Sequence, residues 1–161
     1  MNGSVSPSRR TVDEAGWSAK VRFSAPGVGV APITTASAPA ENPDVSPTVL
    51  IVDDHAAFRA LARELLKADG YDVIGEASDG RAGLDAVDAL HPDVVLLDVR
   101  LPDMNGFDLA DRLTANGCPA AVVVTSSSDD PLYPERATSC GARGFVAKHD
   151  VSGPALDRLL S

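Results

Sequence analysis

The sequence predicts an α/β domain built on a five-stranded parallel, doubly wound sheet with five helices. Three observations carry that expectation. Residues 49–52, 93–98 and 121–124 form short apolar runs rich in Val, Leu and Ile. Such runs read as strands buried on both faces. Between the runs, apolar residues recur at helical spacing, and Gly, Pro, Asn or Asp punctuates nearly every junction. The alternation fills residues 48–161, which suits a single two-sided α/β layer structure.

The elements follow in order. The first strand, residues 49–52, ends on Asp53-Asp54. Phe58, Leu61, Ala62, Leu65 and Leu66 then recur at helical spacing, and Gly70 closes that helix. Residues 71–76 read as the second strand. Asp79 or Ser78 can cap a helix running to about Leu90, with Leu84, Val87 and Leu90 inward, and Pro92 breaks it. The third strand ends on Asp98, and Pro102 with Asn105-Gly106 marks the turn after it. Asn105 can cap a helix carrying Phe107, Ala110 and Leu113, which Gly117 and Pro119 end. The fourth strand leads into Thr125 and a serine run. A weaker helix is expected over residues 131–140, where Pro131 and Pro134 blur the start. Residues 144–147 form a short fifth strand, followed by Lys148, and Leu156, Leu159 and Leu160 mark a last helix. Right-handed crossovers favour the strand order 2-1-3-4-5, with the switch point between the first and third strands.

Residues 1–47 differ. They hold six of the twelve prolines, show no persistent period and carry balanced charge. A disordered Pro/Ala/Ser-rich tail is expected there. Gly27-Val28-Gly29 hints at a phosphate loop, but Pro32 takes the third glycine position and no strand–helix context surrounds it. The formal charge of −9 therefore falls wholly on residues 48–161. It argues against nucleic acid and anionic membrane as partners. Cys118 and Cys140 make no metal-type spacing and read as two buried thiols. No signal peptide or spanning segment is evident, so a cytoplasmic setting is expected.

The strand ends converge on one edge of the predicted sheet. Asp53 and Asp54 come from the first strand, Asp98 from the third, Thr125 from the fourth and Lys148 after the fifth. Taken alone, Asp98 could simply end a strand, and Asp53-Asp54 could cap a helix. Together, three acids repel unless a cation compensates. Mg²⁺, hard and oxygen-seeking, suits such a site. A metal, an ammonium and a hydroxyl also make the electrostatic cradle that phosphoryl transfer uses. His55, at a helix start, reads as an exposed loop residue.

Asp53-Asp54, Leu96-Leu97-Asp98, Pro102 with Gly106, Thr125, and Phe145 with Lys148 resemble a bacterial response-regulator receiver domain, whose fold is flavodoxin-like. The resemblance covers residues 48–161 and implies the following roles. Asp98 accepts a phosphoryl group from a phosphohistidine of a sensor histidine kinase or phosphotransfer protein. Asp54, Asp98 and the backbone carbonyl of Arg100 ligate Mg²⁺, with Asp53 acting mainly through a metal-bound water. Thr125 and Lys148 hold phosphoryl oxygens, and Phe145 is the aromatic switch coupled to Thr125. The fourth helix, fifth strand and fifth helix form the output face, through which a homodimer can also form. One departure stands out: His149 follows Lys148 where many receivers have proline. The sequence ends at Ser161 after the last helix, so the expectation is a stand-alone receiver signalling through protein contacts, without direct DNA binding, or the remnant of a longer regulator. On this reading the chain is a phospho-acceptor and not an enzyme in its own right. Two other readings compete. One is a receiver-fold binding module no longer controlled by phosphate. The other is an Asp-nucleophile phosphatase, which Asp98-Val99-Arg100 disfavours because that chemistry wants Asp-x-Asp.

Overall fold

The computed structural model describes residues 21–23 and 45–161. The predicted disorder of the tail otherwise lies outside the described residues, as does the Gly27-Val28-Gly29 motif. The elements are β1 (Val21–Phe23), β2 (Thr48–Val52), α1 (Ala56–Ala68), β3 (Asp72–Ala77), α2 (Gly80–Leu90) and β4 (Val94–Asp98). They continue with α3 (Gly106–Ala115), β5 (Ala121–Ser126), α4 (Tyr133–Ser139), β6 (Gly144–Ala147) and α5 (Gly153–Leu160). The sheet order is β1-β3-β2-β4-β5-β6. Its five parallel strands reproduce the predicted order 2-1-3-4-5, and the described residues form five α-helices.

β1 is a correction. It pairs antiparallel with β3, Val21 opposite Ala77 and Phe23 opposite Gly75, within the segment expected to lack regular structure. Three residues carry no period of their own. The free edge of β3 supplies the pairing partner, and covering an edge strand is a general solution to exposed backbone.

Successive strand residues point to opposite faces, which explains why the runs are apolar throughout. Leu50, Val52, Val95, Leu97, Val122 and Val124 pack toward Phe107, Leu109 and Leu113. Val49, Ile51, Val94, Leu96 and Val123 pack toward Ala62, Leu66 and Leu156 on the other face. Tyr133 and Ala137 of α4 join the first face. In α1 the inner stripe is Phe58, Ala62 and Leu66. Leu61, 56% exposed, and Leu65, 40% exposed, share the helical spacing but lie outside that stripe. They precede the inner residues by one position, about 100° around the helix axis, beyond what the sheet covers. Cys118 and Cys140 are free thiols, half-buried rather than fully buried, and burial pushes the Cys140 thiol up.

The caps follow the sequence closely. Asp79 accepts from the Ala82 amide at the start of α2, and Asn105 accepts from the Phe107 amide at the start of α3. The C-terminal helix is tied to the far end of α1. Ser152 accepts from the Ala155 amide, Asp69 accepts from the Gly153 amide at 2.7 Å, and the Tyr71 hydroxyl donates to Asp157 at 2.5 Å. Burial and that bond push the Tyr71 hydroxyl up. Tyr71→Phe is expected to lower stability by about 1 kcal/mol, the net worth of one such bond. Urea unfolding checks this, and an unchanged midpoint would remove Tyr71 from the forces docking α5.

Candidate functional site

Parallel pairing sets the site. Val52 lies opposite Leu97 in β4, so Asp53 leaves β2 beside Asp98, and Asp98 is itself opposite Thr125 of β5. Asp53, Asp98 and Thr125 are all buried. Lys148 reaches in from the end of β6. Its ammonium lies 2.6 Å from Asp53 Oδ2 and 3.4 Å from Asp98 Oδ2, and 4.6 Å from the centre of the Phe58 ring. Asp54 sits at the rim, 37% exposed. Carboxylate oxygens of Asp53, Asp54 and Asp98, with a His55 ring nitrogen, all lie within 4.8 Å of one another.

The electrostatics are unbalanced. Burial, and then the neighbouring Asp53 charge, push the Asp98 carboxyl above its ordinary range; Lys148 and the Arg100 amide oppose this only in part. Asp53 Oδ2 and Asp98 Oδ2 face the ammonium without an aligned hydrogen bond, and buried Thr125 Oγ1 has no hydrogen-bond partner. Orphaned buried polar atoms of this kind are uncommon and call for a ligand that satisfies them. The donor set is all oxygen at its core, which fits a hard divalent cation of the Mg²⁺ type.

The loop after β4 is held from several sides. The Arg100 backbone bridges to Asn105, the Gly106 amide donates to the Val99 carbonyl at 2.7 Å, and the Asp103 carboxylate accepts from the Gly80 and Arg81 amides at the start of α2. After β6 the chain makes a 3-10 turn over Lys148–Asp150, with His149 exposed, before α5 begins. That turn is how the chain leaves Lys148 without a proline.

The structure thus gathers the predicted Asp53, Asp54, Asp98, Thr125 and Lys148 at one sheet edge. Phe145 lies away from the acids, on the α3–α4 side of the sheet. Its ring meets Tyr133 edge-on at 5.6 Å, Tyr133 meets Phe107 edge-on at 5.4 Å, and the Arg136 guanidinium covers Phe107 at 4.3 Å. Sequence reading did not single out Tyr133. His55, expected as an exposed residue at a helix start, is 66% exposed, with its Nδ1 3.2 Å from Asp53 and 3.0 Å from Asp54. Asp53 is fully buried, whereas Asp54 lies at the rim.

Comparison with known proteins agrees with this geometry. A family model described as the response regulator receiver domain matches residues 49–154. The virulence regulator BvgA of Bordetella pertussis is 37% identical over 102 residues, 63% of this chain and 49% of that protein. A probable transcriptional regulatory protein, NarL, of Mycobacterium tuberculosis is 39% identical over 101 residues, 62% of this chain and 47% of that protein. The chain therefore spans about half the length of these curated relatives. The solved receiver domain of NarL from Mycobacterium tuberculosis superposes with a TM-score of 0.66 at 33% identity, covering 72% of this chain and 98% of that one. Among the described residues, no helix is long and apolar enough to cross a membrane.

Proposed function

Because this chain belongs to the response regulator receiver family, we propose that it is a signalling switch controlled by phosphorylation of Asp98. The observation that carries the reading is the strained charge balance at one strand end. A buried Asp98 stands against Asp53 with a single ammonium between them and an unpartnered Thr125 hydroxyl alongside.

In this reading an Asp98 carboxylate oxygen attacks the phosphorus of a phosphohistidine on a sensor kinase or phosphotransfer protein. A P–O bond forms, the P–N bond breaks, and the imidazole leaves with a proton. Asp53, Asp54, Asp98 and the Arg100 carbonyl would hold Mg²⁺, whose charge offsets that of the acids and of the incoming phosphoryl oxygens. Lys148, already poised between Asp53 and Asp98, gains a phosphoryl oxygen as an acceptor. Thr125 donates its hydroxyl to another. The pull on Thr125 then repositions β5 against Phe145, which rests on Tyr133. Phosphorylation thereby acts as a local charge event that biases a packed element, the face of α4, β6 and α5. That face, read by a partner protein or a second copy, is the output, and the protein acts as a phospho-acceptor rather than as a turnover enzyme. The expected setting is the cytoplasm, where its phosphodonors are found.

Beryllofluoride with Mg²⁺, a stand-in for the phosphoryl group, provides the test. Hydrogen exchange is expected to change across residues 125–160 in the wild type and to stay unchanged in Asp98→Asn. Identical exchange with and without beryllofluoride in the wild type would reject a phosphate-driven switch and favour a binding module indifferent to phosphate.

A further inference from the structure

The acid pocket has a brace on the side away from Lys148. Arg59, one turn into α1, donates from Nη1 to the Asp53 backbone carbonyl at 2.7 Å and from Nε to Glu76 Oε1 at 3.0 Å. Glu76 is a strand residue of β3, directly opposite Ile51 and 6% exposed. Its second oxygen is taken by Arg63, from Nε at 2.8 Å and from Nη2. Asp53 is the first residue past the paired part of β2. Its amide donates to Ala77 at 3.0 Å, and its Oδ1 accepts from the His55 amide at 2.8 Å. Arg59 takes up the carbonyl, which leads away from the ladder.

Stability alone does not explain this arrangement. A buried carboxylate held by two guanidinium groups is commonly no better for stability than apolar side chains of the same size. What it does supply is geometry. Arginine's planar fork fixes two acceptors at once, which a flexible ammonium does not. Here one prong is anchored on β3 and the other on the residue that presents a carboxylate to the pocket.

We propose that Arg59, anchored by Glu76, is a positioning residue that sets the Asp53 backbone, and through it the Asp53 carboxylate, for cation binding. The proposal rests on the reading of the pocket as an Mg²⁺-dependent phosphoryl acceptor and adds a support that the chain builds from α1 and β3. Residues that orient metal ligands typically contribute 10- to 100-fold in affinity.

The test compares two arginines that share one carboxylate. Arg59→Met and Arg63→Met each remove a partner of Glu76 and keep an aliphatic stem, but only Arg59 touches Asp53. Mg²⁺ is titrated into the full chain by calorimetry, with circular dichroism recording the fold. Arg59→Met is expected to weaken Mg²⁺ binding about tenfold, while Arg63→Met stays close to wild type. With acetyl phosphate as donor, the Mg²⁺ concentration giving half-maximal phosphorylation should rise in Arg59→Met, while the rate at saturating Mg²⁺ is largely kept. Glu76→Gln preserves side-chain shape but frees Arg59 from its anchor. It is expected to weaken Mg²⁺ severalfold, and it decides the question if Arg59→Met does not fold. Wild-type affinity in Arg59→Met, or in a folded Glu76→Gln, overturns the proposal, and so does an equal loss in Arg63→Met. A wild type that binds no Mg²⁺ is a separate outcome: it removes the acceptor reading, and this proposal with it.

Discussion

Gly106→Ala is expected to destabilise the protein by about 3 kcal/mol, at the upper end of what overpacking costs. A Cβ on Gly106 would overlap the Asp98 carbonyl oxygen and come within 2.8 Å of Val99 Cα. Both obstacles are backbone, so no side-chain rotation relieves them. The close approach has a cause: the Gly106 amide bonds the Val99 carbonyl at 2.7 Å, which folds the loop back and presses the start of α3 against the end of β4. Gly117 makes a useful contrast. It has a φ of +75°, and a Cβ placed there would meet nothing within 4 Å, so Gly117→Ala should cost only the left-handed backbone penalty of about 1 kcal/mol. Urea unfolding of both variants checks the ranking. Because the Gly106 clash falls on Asp98 itself, a folded Gly106→Ala protein should also lose Mg²⁺ affinity, whereas Gly117→Ala should not. Equal stability of the two would mean that the loop does not close against Asp98 as described.

Asp98→Asn is expected to make the metal-free protein more stable at neutral pH while abolishing phosphorylation. Burial and Asp53 raise the Asp98 carboxyl in the folded state. A group raised on folding binds its proton more tightly in the native state, so its contribution is complete below the unfolded value of about 3.9 and is lost as pH rises through the folded value. At pH 7 the wild type therefore carries the charged, crowded carboxylate, and asparagine does not. The expected gain is on the order of 1 kcal/mol, the lower end of what relieving buried charge yields. Glu76 has the opposite sign. Burial alone would raise it, but bonds and charges from Arg63 and Arg59 hold it below its usual range. Its contribution is present above the unfolded value of about 4.3 and fades as pH falls through the folded one. Both proteins contain Glu76, so the difference between their stability–pH curves isolates Asp98. Under a chelator, that difference should grow as pH rises above the unfolded value of about 3.9 and level off above the folded one. Added Mg²⁺ should then stabilise the wild type more than the variant, by about 2.7 kcal/mol at a hundredfold excess over Kd for the wild type. Parallel curves would show that Asp98 is not under the electrostatic load described.

The sheet and its order were legible because the central strands carry apolar runs and the helices between them carry an apolar period, two of them with a cap the sequence names. Asp79 and Asn105 cap where the sequence placed them. The site was legible for a similar reason: Asp53, Asp98, Thr125 and Lys148 all end strands, and strand order decides their neighbours. What escaped depends on partners distant in the chain. β1 exists through the edge of β3, not through any pattern in Val21–Phe23. Leu61 and Leu65 fit a helix period equally well whether the sheet reaches them or not. Glu76, a lone acid in a strand, becomes intelligible only once Arg59 and Arg63 are seen to meet it. Tyr133 likewise takes its meaning from neighbours that spacing does not reveal, the Phe107 and Phe145 rings.

Intact-mass spectrometry after incubation with acetyl phosphate and Mg²⁺ tests the central claim most directly. The wild type is expected to gain one phosphoryl group, Asp98→Asn none, and the wild type under a metal chelator none. An unmodified wild type, or an Asp98→Asn protein that takes up the group as readily, would contradict the assignment of Asp98 as the acceptor.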